Sequence, residues 1–271
     1  MEQFAHIREL YMPVQPTVRQ SGEHVVYREI APDVSLRNII YCYWELKTKS
    51  PLEEQFEYRV VSDGCIDIFF ELSRPEESFV MGFCKKFTEF PLDTSIHYIG
   101  IRFLPTMFPQ IFNVDAALLS NRFEALQVIH QETAIFIAQN INPGFILEHI
   151  KSIFDDYFTD TVSKVNFNTD GRLYKSLAII LKNKGVVNLN EQLDIGISQR
   201  QLRRLFRFYI GDTAKTFCKV VRFQNILRAK PSTQSLRKSK LFFDVGYYDQ
   251  AHFIKEFKNH YGVTPTRAFG R

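Results

Sequence analysis

Ser198-Gln199-Arg200-Gln201-Leu202-Arg203-Arg204-Leu205-Phe206-Arg207-Phe208-Tyr209-Ile210-Gly211 returns 51 positions later as Asp249-Gln250-Ala251-His252-Phe253-Ile254-Lys255-Glu256-Phe257-Lys258-Asn259-His260-Tyr261-Gly262. At that constant offset Gln199 meets Gln250, Leu202 meets Phe253, Phe206 meets Phe257 and Thr213 meets Thr264. Each copy opens on a residue whose side-chain oxygen suits a helix N-cap, and closes on a glycine suited to a left-handed C-terminal turn. Just ahead lie the turns Gly196-Ile197 and Gly246-Tyr247-Tyr248. Ahead of those, the segments around Glu191–Ile195 and Lys240–Val245 are helix-compatible. Helix, glycine turn and capped helix is the helix-turn-helix pattern, predicted here twice. A repeated αα-hairpin of purely structural purpose would share the caps and glycines, so the helix faces must decide.

At about 100° per residue, Leu202, Leu205, Phe206 and Tyr209 fall on one side of the first capped helix. Arg200, Arg203, Arg204 and Arg207 fall on the other, and no acidic residue of that helix relieves them. Like charges one turn apart are mutually destabilising unless a polyanion neutralises them. Arginine is also the side chain suited to bidentate contact with guanine in the major groove. In the second capped helix Phe253, Phe257 and Tyr261 form the apolar stripe. Ala251, Lys255 and Lys258 point away from it, flanked by Gln250 and Ile254. Ala251 and Ile254 suit a thymine methyl, Gln250 a base edge or a phosphate, and Lys255 and Lys258 either role. Between the repeats, Ala214–Arg228 reads as one helix with apolar Phe217, Val220, Val221 and Ile226-Leu227, ended by Lys230-Pro231. Such a spacer suits two reading helices set into successive major-groove segments, about 34 Å apart.

The charge follows the repeat. Residues 172–271 hold 20 Lys and Arg against 6 Asp and Glu, whereas residues 1–171 hold 14 against 24. The whole chain of 271 residues carries only +4. Two halves of opposite sign predict two modules, the basic one suited to a polyanion; a merely solvated basic surface is the plainer alternative.

Arg222-Phe223-Gln224, the run Gly246–Lys258 and Gly262-Val263-Thr264-Pro265 together resemble the signature of the AraC/XylS family of bacterial transcriptional regulators. Ser198-Gln199-Arg200-Gln201-Leu202-Arg203-Arg204-Leu205-Phe206 is similar to that family's first recognition helix. The resemblance covers about residues 172–268. It implies a seven-helix, double helix-turn-helix domain that binds promoter DNA and alters recruitment of RNA polymerase, in the bacterial cytoplasm at the nucleoid. It places base contacts at Arg200, Arg203 and Arg204, and at Gln250, Ala251, Ile254 and Lys255. Ser198, Gln199, Arg207 and Lys258 complete the expected DNA-binding set. The chain departs from the family at Gln192 and Phe242, where a small residue usually stands four before each turn glycine.

The first half reads as a sheet followed by helices. β-branched and aromatic runs recur at Val25–Tyr27, Ile39–Trp44, Tyr58–Val61, Ile66–Phe70, Phe79–Met81 and His97–Phe103, with Asp63-Gly64 expected as a type I′ hairpin turn. The fold class is therefore α+β in two domains. Residues 1–165 form a β-rich sandwich or barrel with trailing helices at about 105–158, and residues 172–271 an all-α double helix-turn-helix domain. Leu118-Leu119-Ser120 leading into Phe123, Leu126 and Ile129 reads as helical, and the polar stretch Thr159–Gly171 as the linker. Val61–Phe70 and Gly100–Pro105 resemble a poorly characterised N-terminal module that accompanies such DNA-binding domains, which implies a sensor or dimerisation role. Tyr41, Tyr43, Trp44, Phe69, Phe70, Phe83 and Phe103 either line an apolar effector pocket or pack a core. Arg59, Arg102 and Asp67 either anchor a polar ligand or take ordinary surface or ion-pair roles.

Other classes find no footing. The four cysteines, Cys42, Cys65, Cys84 and Cys218, include no CxxC and fit a reducing compartment. His24, His97 and His130 share no metal-ligand spacing, and no P-loop, GxSxG or Rossmann fingerprint appears, so neither metal, cofactor nor catalysis is expected. No apolar run is long enough to span a membrane, and no secretory signal is expected at Met1–Arg8. An architectural or RNA-binding protein built on the same basic domain is the alternative to a regulator.

Overall fold

The computed structural model describes residues 2–16, 24–168, 170–189, 193, 195–229 and 246–269. Helix α1 (Glu2–Leu10) precedes the strands β1 (Val25–Ile30), β2 (Ile40–Thr48), β3 (Phe56–Val60), β4 (Ile66–Glu71), β5 (Ser78–Met81), β6 (Thr88–Leu92) and β7 (His97–Phe103). Then come α2 (Met107–Phe112), a 3-10 turn at Ala116–Leu119, β8 (Phe123–Ala125), α3 (Leu126–Ile129), α4 (Gln131–Asn140) and α5 (Leu147–Ser163). The C-terminal helices are α6 (Gly171–Lys182), α7 (Gln199–Ile210), α8 (Ala214–Ala229), α9 (Gln250–Tyr261) and α10 (Pro265–Phe269).

Six strands form one antiparallel sheet in the order β1-β2-β7-β4-β5-β8, and β3 pairs with β6 as a second, two-stranded sheet. Alternation along β4 buries Ile66, Ile68 and Phe70 on one face and turns Asp67, Phe69 and Glu71 to the other. The first face meets helices: Phe103 packs edge-on against Phe108 and Phe112 of α2 and Phe158 of α5 at 5.5–5.8 Å. The second face meets the β3–β6 pair, with Trp44, Leu46, Tyr58 and Leu92 buried between the layers. Trp44 lies opposite Gly100 in the β2–β7 register, and its indole fills the space where a side chain at Gly100 would stand. The sheet-and-helix architecture expected from the β-rich runs is thus present, with helices on one face and a small sheet on the other.

Three local expectations are corrected. Asp63-Gly64 makes no hairpin, because β3 and β4 belong to different sheets, and Gly64 alone takes a positive φ, of 77°. Asp63 is instead an anchor: its side chain accepts from the Cys65 amide at 3.0 Å and from Gln15 Nε2 at 2.7 Å, and its carbonyl accepts from the Tyr11 hydroxyl. Phe123 lies in β8, not in a helix, because Phe79–Met81 offers a strand edge that residues 123–125 pair with. The expected linker is shortened from both ends, since α5 continues through Ser163 and Gly171 begins α6. The helix-compatible segment Lys240–Val245, most of Glu191–Ile195, the stop at Lys230-Pro231, and Gln192 and Phe242 lie outside the described residues.

One core crosses the two oppositely charged halves. It runs from Phe4 and Tyr11 through the sheet to Leu177, Phe206 and Val221. Burial of each such side chain is worth about 1.5–3 kcal/mol, so this shared interior ties the helical third to the sheet. The stitching is local and specific. Phe4 packs on Phe167 and Tyr174 at 5.4 and 5.1 Å, and Tyr11 on Phe217 at 6.0 Å. Gln224 of α8, 1% exposed, accepts from the Val14 amide at 2.7 Å and donates to the Ser62 carbonyl at 2.7 Å.

Candidate nucleic-acid interface

Helix α7 starts where its sequence predicts. Ser198 has extended backbone and accepts from the Gln201 amide, while the Gln201 side chain returns to the Ser198 amide at 2.9 Å, closing a capping box. Gly211 ends it at φ 107°, a conformation other residues resist, and lies against Phe83 and the Ala116 carbonyl of the N-terminal half. Leu202, Phe206 and Ile210 are buried. Arg200, Arg203, Arg204 and Arg207 are exposed, and none has an ion pair among the described residues. Gln199, also exposed, donates to the Leu189 carbonyl at 3.3 Å.

Helix α9 repeats the design with a different cargo. Asp249 caps it by accepting from the His252 amide at 2.7 Å, and Gly262 ends it at φ 93°. Phe253, Phe257 and Tyr261 are buried, as their spacing predicts. Gln250, Ala251, Lys255 and Lys258 are exposed. Ile254 is half-buried and packs against the C-terminal cluster, so only part of it faces outward. His252 stands beside Glu256 at 3.4 Å and touches the Tyr247 ring, a packing and pairing role.

Helix α8 binds the two units. Phe223 contacts Phe257 at 5.5 Å and the His260 ring at 5.1 Å. Arg222, quoted above only as part of a signature, sends one nitrogen to the Gly185 carbonyl and another to the Gly246 carbonyl, each at 3.1 Å, with its guanidinium over the Tyr247 ring. It thereby pins the turn after α6 to the turn before α9. Sequence reading missed this role because an arginine on a basic helix looks like any other. Also missed were Lys85, Lys86, Lys215 and Lys219, which line one cleft with Lys255 and Lys258.

A second feature lies between the two sheets. A cavity of about 220 Å³ is lined by Trp44, Phe69, Phe79, Phe90 and Phe123, with Asp67 and Arg102 on its wall. Of the seven aromatics considered from sequence, Trp44 and Phe69 line it, Tyr43, Phe70, Phe83 and Phe103 are buried in the main core, and Tyr41 lies half-buried under Arg8. Arg102 is buried and ion-paired to Asp67 at 2.8 Å, with Asp63 and Glu29 each at 3.4 Å. Burial pushes the Asp67 carboxyl up to about 6, against the opposing pull of Arg102, and Trp44 Nε1 donates to it at 3.0 Å. Arg59 lies apart from this group and pairs with Glu89. Among the described residues no cluster of His, Cys, Asp or Glu has metal-binding geometry, and no helix is long and apolar enough to cross a membrane.

A family model described as a helix-turn-helix domain matches residues 194–271, and one described as a domain of unknown function, DUF6597, matches residues 28–124. Among solved structures the chain is similar to ToxT from Vibrio cholerae O395, at 11% identity and a TM-score of 0.42, covering 84% of this chain and 96% of that one. ToxT bound to (E)-4-(8-methylnaphthalen-1-yl)but-3-enoic acid aligns at 10% identity and a TM-score of 0.43, covering 91% and 98%. A search of curated proteins finds no match. Residues 194–271 thus match a helix-turn-helix domain, which follows a segment that matches DUF6597.

Proposed function

We propose that the chain regulates transcription by reading an asymmetric DNA site with α7 and α9 set into successive major-groove segments. The observation that carries this reading is the set of four exposed arginines, without an ion pair among the described residues, on the face of α7 opposite its buried stripe. Arg200, Arg203 and Arg204 meet base edges, Arg207 meets phosphate, and Ser198 and Gln199 bring the positive end of the helix to the backbone. In α9, Gln250, Ala251, the outer part of Ile254 and Lys255 face bases, and Lys258 faces phosphate. Residues 172–271 are the DNA-binding domain and residues 1–165 the control domain. The cavity between the sheets suits a small, largely apolar effector. Exposed Val128, Ile135 and Ile146, on or beside α3, α4 and α5, favour self-association through that region. RNA polymerase is the onward partner and the bacterial cytoplasm the setting, as the family likeness implies.

Selection from a random duplex library tests the reading. The full chain is expected to enrich one asymmetric motif about two helical turns long. Arg203→Ala is expected to weaken the selected site by roughly 1–3 kcal/mol and to relax preference at one or two adjacent base pairs. Equal losses on selected and random duplexes would move Arg203 to the phosphate-contacting class, and the absence of any enriched motif would sink the proposal.

A further inference from the structure

We propose that the N-terminal half itself grips the DNA: Lys85 and Lys86, between β5 and β6, contact backbone phosphates beside the segment read by α9. This rests on the DNA-binding reading above and adds a contact from outside the helix-turn-helix domain.

Lys85-Lys86 is the one place in residues 1–171 where two basic residues adjoin, and that half is otherwise dominated by acid. The fold delivers the pair to the basic domain. The Phe87 amide donates to the Asn259 carbonyl at 3.1 Å, and Asn259 Nδ2 donates to the Lys85 carbonyl at 3.1 Å. Both bonds hold the short segment 85–87 to the last turn of α9. Lys85 and Lys86 are exposed there. They share a cleft with Lys215 and Lys219 of α8 and Lys255 and Lys258 of α9. The one carboxylate among the described residues of the cleft, Glu256, is already faced by Lys219 and His252, each at 3.4 Å. Lys85, Lys86, Lys215, Lys255 and Lys258 have no ion pair among the described residues. Five like charges gathered from three elements repel one another until a polyanion enters. Continuity with the outward face of α9 identifies that polyanion as the duplex α9 already engages, which offers a negative charge about every 1.7 Å along its axis.

The test compares wild type, Lys85→Ala/Lys86→Ala and Lys85→Arg/Lys86→Arg as full-length chains, on the selected duplex and on random duplexes, across a salt series. Each lysine that neutralises a phosphate contributes about 0.9 to the slope of log affinity against log salt. The alanine pair is therefore expected to lower the slope by about 1–2. It should also weaken both duplexes by a similar factor, roughly ten-fold at moderate salt, because phosphate contacts carry no sequence information. The arginine pair should restore wild-type behaviour. Both lysines are exposed, so an unchanged melting temperature verifies folding. An unchanged slope and affinity in the alanine pair, with the selected motif still preferred, overturns this inference and leaves the DNA-binding reading standing. Loss of specific binding by the wild-type chain would strike the parent reading instead. Inorganic pyrophosphate bound by wild type but not by the alanine pair, with DNA affinity equal in both, would assign the cleft to a small phosphate ligand and also overturn the inference.

Discussion

His260 shows how a single side chain can record the docking of the two halves. Its Nδ1 faces Ser62 Oγ at 3.1 Å, its ring stacks on Phe223, and its Nε2 is buried with no hydrogen-bond partner among the described residues. Burial, with Lys219 nearby, pushes its pKa down to about 3. The unfolded chain takes up a proton below about pH 6.5 that the folded chain refuses, so this residue's contribution is present above that pH and is lost as pH falls. Denaturant titrations are expected to show roughly 1 kcal/mol lost between about pH 7 and about pH 5.5 from this group. His260→Gln should remove that share of the slope. The difference between the two chains separates it from Asp67, whose raised pKa acts in the opposite sense, favouring the fold as pH falls from about 6 to about 4. Superimposable pH profiles would show that His260 is not held neutral. Among residues, the exposed arginines of α7 were legible because helical periodicity fixes which side they take. The burial of Arg102, Gln224 and His260 was not, because each is held by groups 35 or more positions away in the chain.

At the scale of elements, α7, α8 and α9 were readable because their ends are written locally, in Ser198, Asp249, Gly211 and Gly262. Ser198→Ala removes one half of a capping box. It is expected to destabilise the chain by about 1 kcal/mol, with faster amide exchange confined to the first turn of α7. Exchange that quickens throughout α7 would mean that the cap does more than hold its own end. The strands β1, β2, β4, β5 and β7 were also visible as β-branched and aromatic runs. β6 was not, because Thr88-Glu89-Phe90-Pro91-Leu92 carries a proline and a charge, and only pairing with β3 makes it a strand. β8 has three residues, too few for any period to show. The Asp63-Gly64 pair misled because turn chemistry says that the chain bends, not which strands the bend connects.

For the whole molecule, opposite charges on two halves did not mean two separate interiors. Gln224 bridges residue 14, residue 62 and α8, and Val61 is buried among Phe223, Phe253 and Phe257. Wild type is accordingly expected to unfold in one cooperative transition. Gln224→Ala, which strands the half-buried Val14 amide and the buried Ser62 carbonyl, should cost roughly 1–3 kcal/mol of stability in equilibrium denaturation. Two separated transitions in wild type, one for each half, would contradict a shared interior. What remained invisible in the sequence at this scale was docking itself, since the contacts that produce it join groups more than 150 positions apart.

The way residues 4–16 are wedged between sheet and helices has a consequence for biosynthesis. Phe4 closes on Phe167 and Tyr174, and Val14 on Gln224. At the usual pace of translation the ribosome takes roughly ten to forty seconds to emit the intervening chain. Helix α1 is thus made well before its seat exists, and its Phe4 and Ile7 stay uncovered until the C-terminal helices emerge.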